Sequence, residues 1–153
     1  MERGLVSLRE SAAHRDLLAE AVSCAAGSDG DLAVLWHLDD DQYEEDVQTL
    51  EAVGRIENVE YDHSTIVEGA AEDAQAFVES VAGEADLDVQ IIVGVGSETA
   101  QAEQILETAD EYGCDHVFVV GNARSPTGKA VFGDTAQQVI LGFDGFTTTK
   151  LAE

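Results

Sequence analysis

Residues 115–141 read DHVFVVGNARSPTGKAVFGDTAQQVIL, and this stretch decides the fold. It opens on an apolar run, His116 followed by Val117, Phe118, Val119 and Val120, of the kind that a parallel sheet buries on both faces. A polar loop begins at Gly121. Val131, Phe132, Thr135, Ala136, Val139 and Ile140 then recur at helical spacing, with Gly142 beyond them. Strand, loop and helix in that order make one βα unit.

The same alternation runs through the rest of the chain. Leu5, Val6 and Leu8 predict a short apolar strand. From Ser11, a helix cap, Leu17, Leu18, Ala21, Val22 and Ala25 share one helical face, and Gly27 is its expected stop. Residues 32–38 (LAVLWHL) read as a strand buried on both faces. Asp41-x-x-Glu44 has N-cap spacing ahead of Tyr43, Val47, Leu50 and Val53, with Gly54 near the end. Residues 59–62 suit a short extended piece. Thr65-x-x-Glu68 reads as a capping box; it heads a helix with Ile66, Ala70, Ala74, Phe77, Val78 and Val81 inward, closed by Gly83. Residues 89–93 form the next strand. Ser97 is the expected cap of a helix built on Ala102, Ile105, Leu106, Ala109 and Tyr112, which Gly113 ends. Residues 146–151, with Thr147, Thr148 and Thr149, close the chain as a strand. Strands alternating with long helices imply an α/β domain with a parallel sheet and right-handed crossovers, and one domain fills residues 1–153.

Charge narrows the function. Seven Lys/Arg against 32 Asp/Glu give a formal net charge of −25, in a chain that is still 44% hydrophobic. The apolar fraction argues for a folded domain rather than disorder. The charge argues against nucleic acid and anionic membrane as partners, since both grips depend on Lys/Arg. No apolar run reaches the ~20 residues of a membrane span, and residues 1–10 lack the long apolar stretch of a signal peptide. Cys24 and Cys114, outside any CxxC pattern, read as buried small residues in a reducing cytoplasm. Self-repulsion of this size destabilises a compact chain in dilute buffer. At molar ionic strength the Debye length falls to about 3 Å, so abundant carboxylate with scarce lysine points to a salt-adapted protein.

Ligands of open parallel sheets sit beyond the strands' carboxyl ends at the topological switch point. The loop after residues 116–120 is the candidate. Its glycines, among them Gly121, Gly128 and Gly133, let backbone approach a ligand. Ser125, Thr127 and Thr135 offer hydroxyls. Arg124 and Lys129 place two of the chain's seven cations within six positions, and a helix N-terminus adds free amides suited to an anion. The loop is not a Walker A motif, because Ala123 and Ala130 stand where GxxxxGK[ST] needs Gly and Ser/Thr.

Other constellations carry less. His14, His37, His63 and His116 are scattered without metal-ligand spacing. His37 reads as a strand-end histidine satisfied by backbone. Asp39, Asp40 and Asp41 read as a solvated run before a hard-cation site. Ser11 lacks the G-x-S-x-G elbow of a nucleophile. No catalytic residue and no metal ligand is assigned.

Residues 115–141, and the RSPTGKAVFG segment above all, resemble the universal stress protein family in its salt-adapted form. Residues 5–38, 65–78, 89–94 and 143–151 are similar to successive strands and helices of that family, so the resemblance spans nearly the whole chain. It implies a three-layer, doubly wound, five-stranded parallel sheet with helices on both faces, flavodoxin-like and related to the adenine nucleotide alpha hydrolase folds. It also implies a homodimer, often paired through the last strand. Some members hold ATP or AMP, with Mg²⁺ beside ATP; others bind no nucleotide.

Carried onto this chain, the resemblance assigns the nucleoside end to Ser7, Leu8, Arg9, Leu38 and Val120. The phosphate end falls to Gly121, Arg124, Ser125, Thr127, Gly128, Lys129, Gly133 and Thr135. The family's phosphate signature, G-x-x-G-x9-G-[S/T], is not intact. Arg124 replaces its second glycine, Gly133 comes one residue early, and Asp134 replaces the final hydroxyl. Arg9 stands where nucleotide-binding members commonly place Asp near the ribose. The expectation is a cytoplasmic, non-enzymatic stress-response module with an adenine-nucleotide or anion site. The alternatives are the same fold with a degenerate pocket, acting as a dimeric interaction protein, and a weak ATPase.

Overall fold

In the computed structural model, which describes residues 1–57, 64–122 and 134–152, five parallel strands form one sheet. They are β1 (Arg3–Leu8), β2 (Asp31–Asp39), β3 (Val89–Gly96), β4 (His116–Asn122) and β5 (Phe146–Ala152), in the spatial order β3-β2-β1-β4-β5. The helices are α1 (Ala12–Ser28), α2 (Asp40–Glu57), α3 (Ser64–Ala82), α4 (Gln101–Glu111) and α5 (Asp134–Gly142). The chain starts in the middle of the sheet and winds outward to β3. It then crosses back over β1 to lay down β4 and β5. The reversal of direction falls between β1 and β4, the place where a doubly wound sheet opens for a ligand.

Strand alternation sorts the apolar residues into two cores. Val6, Leu8, Val34 and Trp36 face α1 and α3, where they meet Leu17, Leu18, Ala74, Phe77 and Val78. Leu5, Ala33, Leu35, Val117 and Val119 face α4 and α5, against Ala102, Ile105, Ala136 and Val139. Trp36 and Phe77 meet with ring centroids 5.5 Å apart, and the Arg15 guanidinium lies 4.9 Å over the Phe77 ring.

The amino ends of the central strands are tied down. Arg3 bonds Asp31 at 2.8 Å and the Tyr112 carbonyl at 2.7 Å, while the Asp115 carboxylate accepts the amides of Glu2 and Arg3. At the carboxyl ends the strand pairing is uneven. Pairing of β1 with β4 stops at Val6↔Phe118, whereas β1 stays paired with β2 through Leu8↔Trp36. A crevice therefore opens between β1 and β4 from Ser7 onward.

Helix ends depart from the sequence expectations in five places. Gly27 lies inside α1, and the left-handed residue that stops it is Asp29 (φ 55°). Asp39, not Asp41, fills the cap of α2, its Oδ1 accepting the Asp41 amide at 2.9 Å, and the helix runs through a buried Gly54 to Glu57. Thr65 is already inside α3, which opens at Ser64, so it is not the cap. Ser97 heads a short 3-10 turn (Glu98–Ala100) and bonds the Thr99 hydroxyl at 3.0 Å instead of capping α4. Gly142 belongs to α5, and Ile140 on that helix is 38% exposed rather than inward. Gly83 (φ 60°) and Gly113 (φ 63°) do stop α3 and α4. Ser11 does cap α1, accepting the His14 amide at 3.1 Å.

Cys24 and Cys114 are unpaired and half-buried, not fully buried as expected; burial pushes the Cys114 thiol up to about 11. No helix among the described residues is long and apolar enough to cross a membrane. The extended piece expected at residues 59–62, His63, and the inward Val131 and Phe132 lie outside the described residues.

Candidate functional site

The crevice deepens into a cavity of about 510 Å³, within the range that holds a small ligand. Ser7 and Arg9 wall it from β1; Val119, Val120, Gly121 and Asn122 wall it from β4. His14 comes from α1, and Thr135, Ala136 and Gln138 come from the first turns of α5. Glu98, Thr99 and Gln101 arrive with the crossover that leads from β3 back toward β4.

Ser7 is nearly buried and on the cavity face of β1. It stands level with Leu35 of β2, so His37, two residues further along, shares that face. The Ser7 hydroxyl lies 2.7 Å from His37 Nε2. The sequence expectation of a histidine satisfied by backbone is thus corrected: its partner is a side chain, and Nδ1 is buried with no partner among the described residues. The tautomer that buries no N–H without an acceptor carries its proton on Nε2. His37 then donates, Ser7 accepts, and the serine proton is left to serve the cavity.

Electrostatics fit that assignment. Burial holds the His37 imidazole down to about 4, and the charges of Arg9 and His14 push the same way. Burial, then Arg9, lowers His14 to about 4 as well; its Nδ1 lies 2.6 Å from the Ser11 hydroxyl. Both rings are therefore neutral at pH 7. The full charges on the described wall are Arg9 and Glu98. Arg9 Nη2 donates to Gln101 Oε1 at 3.1 Å, bridging from the end of β1 to the start of α4.

Of the thirteen residues assigned from the sequence, Ser7, Arg9, Val120, Gly121 and Thr135 come together on this wall. Leu8 does not: it is fully buried on the opposite face of β1, against α1 and α3. Leu38 is also elsewhere. It lines a groove between α2 and α3 with Leu50, Val53, Ile66 and Ala70, because it is one residue past His37 and faces the other way. Arg124, Ser125, Thr127, Gly128, Lys129 and Gly133 lie outside the described residues. The sequence reading missed His14, Glu98, Thr99, Gln101, Asn122 and Gln138. Glu98, Thr99 and Gln101 reach the cavity because the crossover from β3 returns across the sheet to β4. Asp39, Asp40 and Asp41 are exposed, with carboxylate oxygens within 4.8 Å of one another. One of those oxygens already caps α2.

The described wall offers hydroxyls, amides, the Arg9 guanidinium, the Glu98 carboxylate and the neutral His14 imidazole, beside the apolar Val119, Val120 and Ala136.

Comparison with known proteins agrees with this architecture. Residues 2–144 match the family model described as the Universal stress protein family. No curated protein sequence matches the chain significantly. Among solved structures, universal stress protein UspA from Lactobacillus plantarum superposes with a TM-score of 0.63 at 17% identity, covering 97% of each chain. A universal stress protein in complex with cAMP gives 0.61 at 15% identity, over 98% of this chain and 96% of that one. The universal stress protein from Archaeoglobus fulgidus in complex with dAMP gives 0.57 at 14% identity, over 97% of each. At these identities the likeness is one of fold.

Proposed function

This chain belongs to the universal stress protein family, and from that premise we propose that the crevice between β1 and β4 is an adenine-nucleotide site in a non-enzymatic, cytoplasmic stress-response protein. The observation that carries the reading is the cavity itself. It opens where β1–β4 pairing ends, and it gathers Ser7, Arg9, Val120, Gly121 and Thr135 from distant parts of the chain. Two relatives of the same fold were solved with adenine mononucleotides, cAMP and dAMP. Ser7 and Arg9 would serve the nucleoside end, beside Val120. Gly121 and Thr135, with Arg124, Ser125, Thr127, Gly128, Lys129 and Gly133 of the loop sequence between them, would serve the phosphates. AMP or ATP is the expected ligand. With ATP, a Mg²⁺ ion would offset the repulsion from Asp134, the residue in place of a hydroxyl.

A second reading has its own support. Arg9 already bonds Gln101 across the cavity, and the phosphate signature is one residue short. On this reading the same fold serves as a dimeric interaction protein that takes no nucleotide. Under either reading β5 is the proposed dimer strand. It is the edge strand of the sheet, and on it Phe146 is 76% and Leu151 39% exposed.

Isothermal titration with AMP and with ATP/Mg²⁺ in molar KCl separates the readings. Saturable binding of one nucleotide per chain supports the first. Absence of heat at millimolar nucleotide overturns it in favour of the second.

A further inference from the structure

α2 is a long helix of which little is buried. Gly54 is its one buried residue, while Val53 and Ile56 reach solvent and Ile56 is 86% exposed. With α3 it leaves a groove of about 590 Å³. Leu38, Leu50, Val53 and Ile66 line it, and the small Gly69 and Ala70 deepen it along α3. Ile56 stands one turn beyond Val53 and extends the same apolar row. Carboxylates border the groove from both helices, Asp46 from α2, Glu72 and Asp73 from α3. Arg55 is the single Lys/Arg in the sequences of α2 and α3.

An apolar trough between carboxylates selects its occupant. A second copy brings the same carboxylates and a net charge of −25, so like charges would meet across the groove. Nucleic acid and anionic lipid are repelled in the same way. A simple polyamine satisfies the rim but leaves Leu50, Val53 and Ile66 in water. An amphipathic helix with an apolar stripe flanked by Lys/Arg meets both demands. From Asp46 to Ile56 α2 rises about 15 Å, the length of about three turns of such a helix. We therefore propose that the α2–α3 groove docks a basic amphipathic helix of a partner protein, independently of what the β1–β4 crevice binds. The apolar stripe lies over Leu50, Val53 and Ile66, with Ile56 beyond them, and its Lys/Arg flanks pair with Asp46, Glu72 and Asp73.

Fluorescence anisotropy with a labelled peptide of about 14 residues, Leu at i, i+3, i+4 and i+7 and Lys elsewhere, tests the proposal. A scrambled peptide of the same composition keeps the charge and loses the stripe. At roughly 1 M KCl the long-range field of the chain is screened, so charge alone holds neither peptide. Saturable binding of the amphipathic peptide, roughly tenfold or more tighter than the scrambled one, is the expected result. Gly69→Leu fills the groove from a position where a Cβ meets nothing within 4 Å, and near-ultraviolet circular dichroism verifies its fold. Its affinity is expected to fall roughly tenfold or more, the worth of one displaced apolar anchor. At about 0.1 M KCl, Glu72→Gln with Asp73→Asn is expected to weaken binding more than Glu103→Gln with Glu107→Gln, which removes equal charge from exposed positions on α4. Equal binding of the two peptides, an unchanged affinity in Gly69→Leu, or equal losses in the two charge variants overturns the proposal. So does the absence of saturable binding. Self-association of the free chain that Gly69→Leu abolishes also overturns it, by assigning the groove to a second copy.

Discussion

Ser7 Oγ and His37 Nε2 lie 2.7 Å apart, joining the carboxyl-terminal ends of β1 and β2. With the hydroxyl removed, the imidazole N–H is left buried without an acceptor, at a cost of about 1–3 kcal/mol. Ser7→Ala is expected to lower stability to urea by that amount. Ser7→Ala combined with His37→Phe, which removes both partners, is expected to cost clearly less than the two single changes added together. Additive costs would show that the pair is not coupled.

The two lowered histidines set an acid sensitivity. An imidazole whose folded value is about 4, against 6.5 unfolded, binds its proton more readily in the unfolded chain. Its contribution to stability is present above pH 6.5 and lost as the pH falls toward 4, at a slope of up to about 1.4 kcal/mol per pH unit for each ring. The urea stability of His37→Phe is expected to fall less steeply than that of the natural chain between these limits. Parallel curves would place His37 in water.

Net charge sets a salt dependence. At −25 the folded chain repels itself, and screening shortens from about 10 Å at 0.1 M to 3 Å at 1 M salt. The melting temperature is expected to rise between 0.1 M and molar KCl. Equal melting temperatures would contradict the salt-adapted reading.

Gly30 precedes β2 where the chain passes beneath its own amino end. A Cβ at this position would lie 2.5 Å from the Met1 carbonyl oxygen and 2.9 Å from that of Glu2. Both atoms are main chain, and the Glu2 oxygen is already held by the Asp31 amide at 3.0 Å. Gly30→Ala is expected to destabilise by roughly 1–3 kcal/mol, the usual range for overpacking, read from the urea midpoint. Gly27→Ala, inside α1 with nothing near its Cβ, is expected to stabilise by about 0.5–1 kcal/mol instead.

Gly27 and Gly30 also show where the sequence was legible. Strands announced themselves through runs such as residues 32–38 and 116–120, because a sheet covered on both faces leaves no polar alternation to misread. Helix stops were legible only where glycine takes a left-handed angle, as at Gly83 and Gly113. Gly27, Gly54 and Gly142 stayed helical, and Asp29 supplied the left-handed stop of α1, which composition does not announce. The switch-point rule points to the carboxyl end of β4, while the residues at the β1 end come from the family resemblance. Leu8 and Leu38 went astray through strand parity: each is one residue off the cavity face, and only the two-residue repeat separates them from Ser7 and His37. Gln101 and Glu98 were hidden for another reason. Their place depends on which strands the crossover spans, and strand order is a property of the whole sheet.

The most direct measurement is a crystal structure of the chain grown with excess AMP. Nucleotide density between the ends of β1 and β4, within hydrogen-bond reach of the Ser7 hydroxyl and the main chain at Gly121, is the predicted result. A cavity still spanned by the Arg9–Gln101 contact and free of nucleotide, or AMP seated in the groove beside Leu38, would contradict the account.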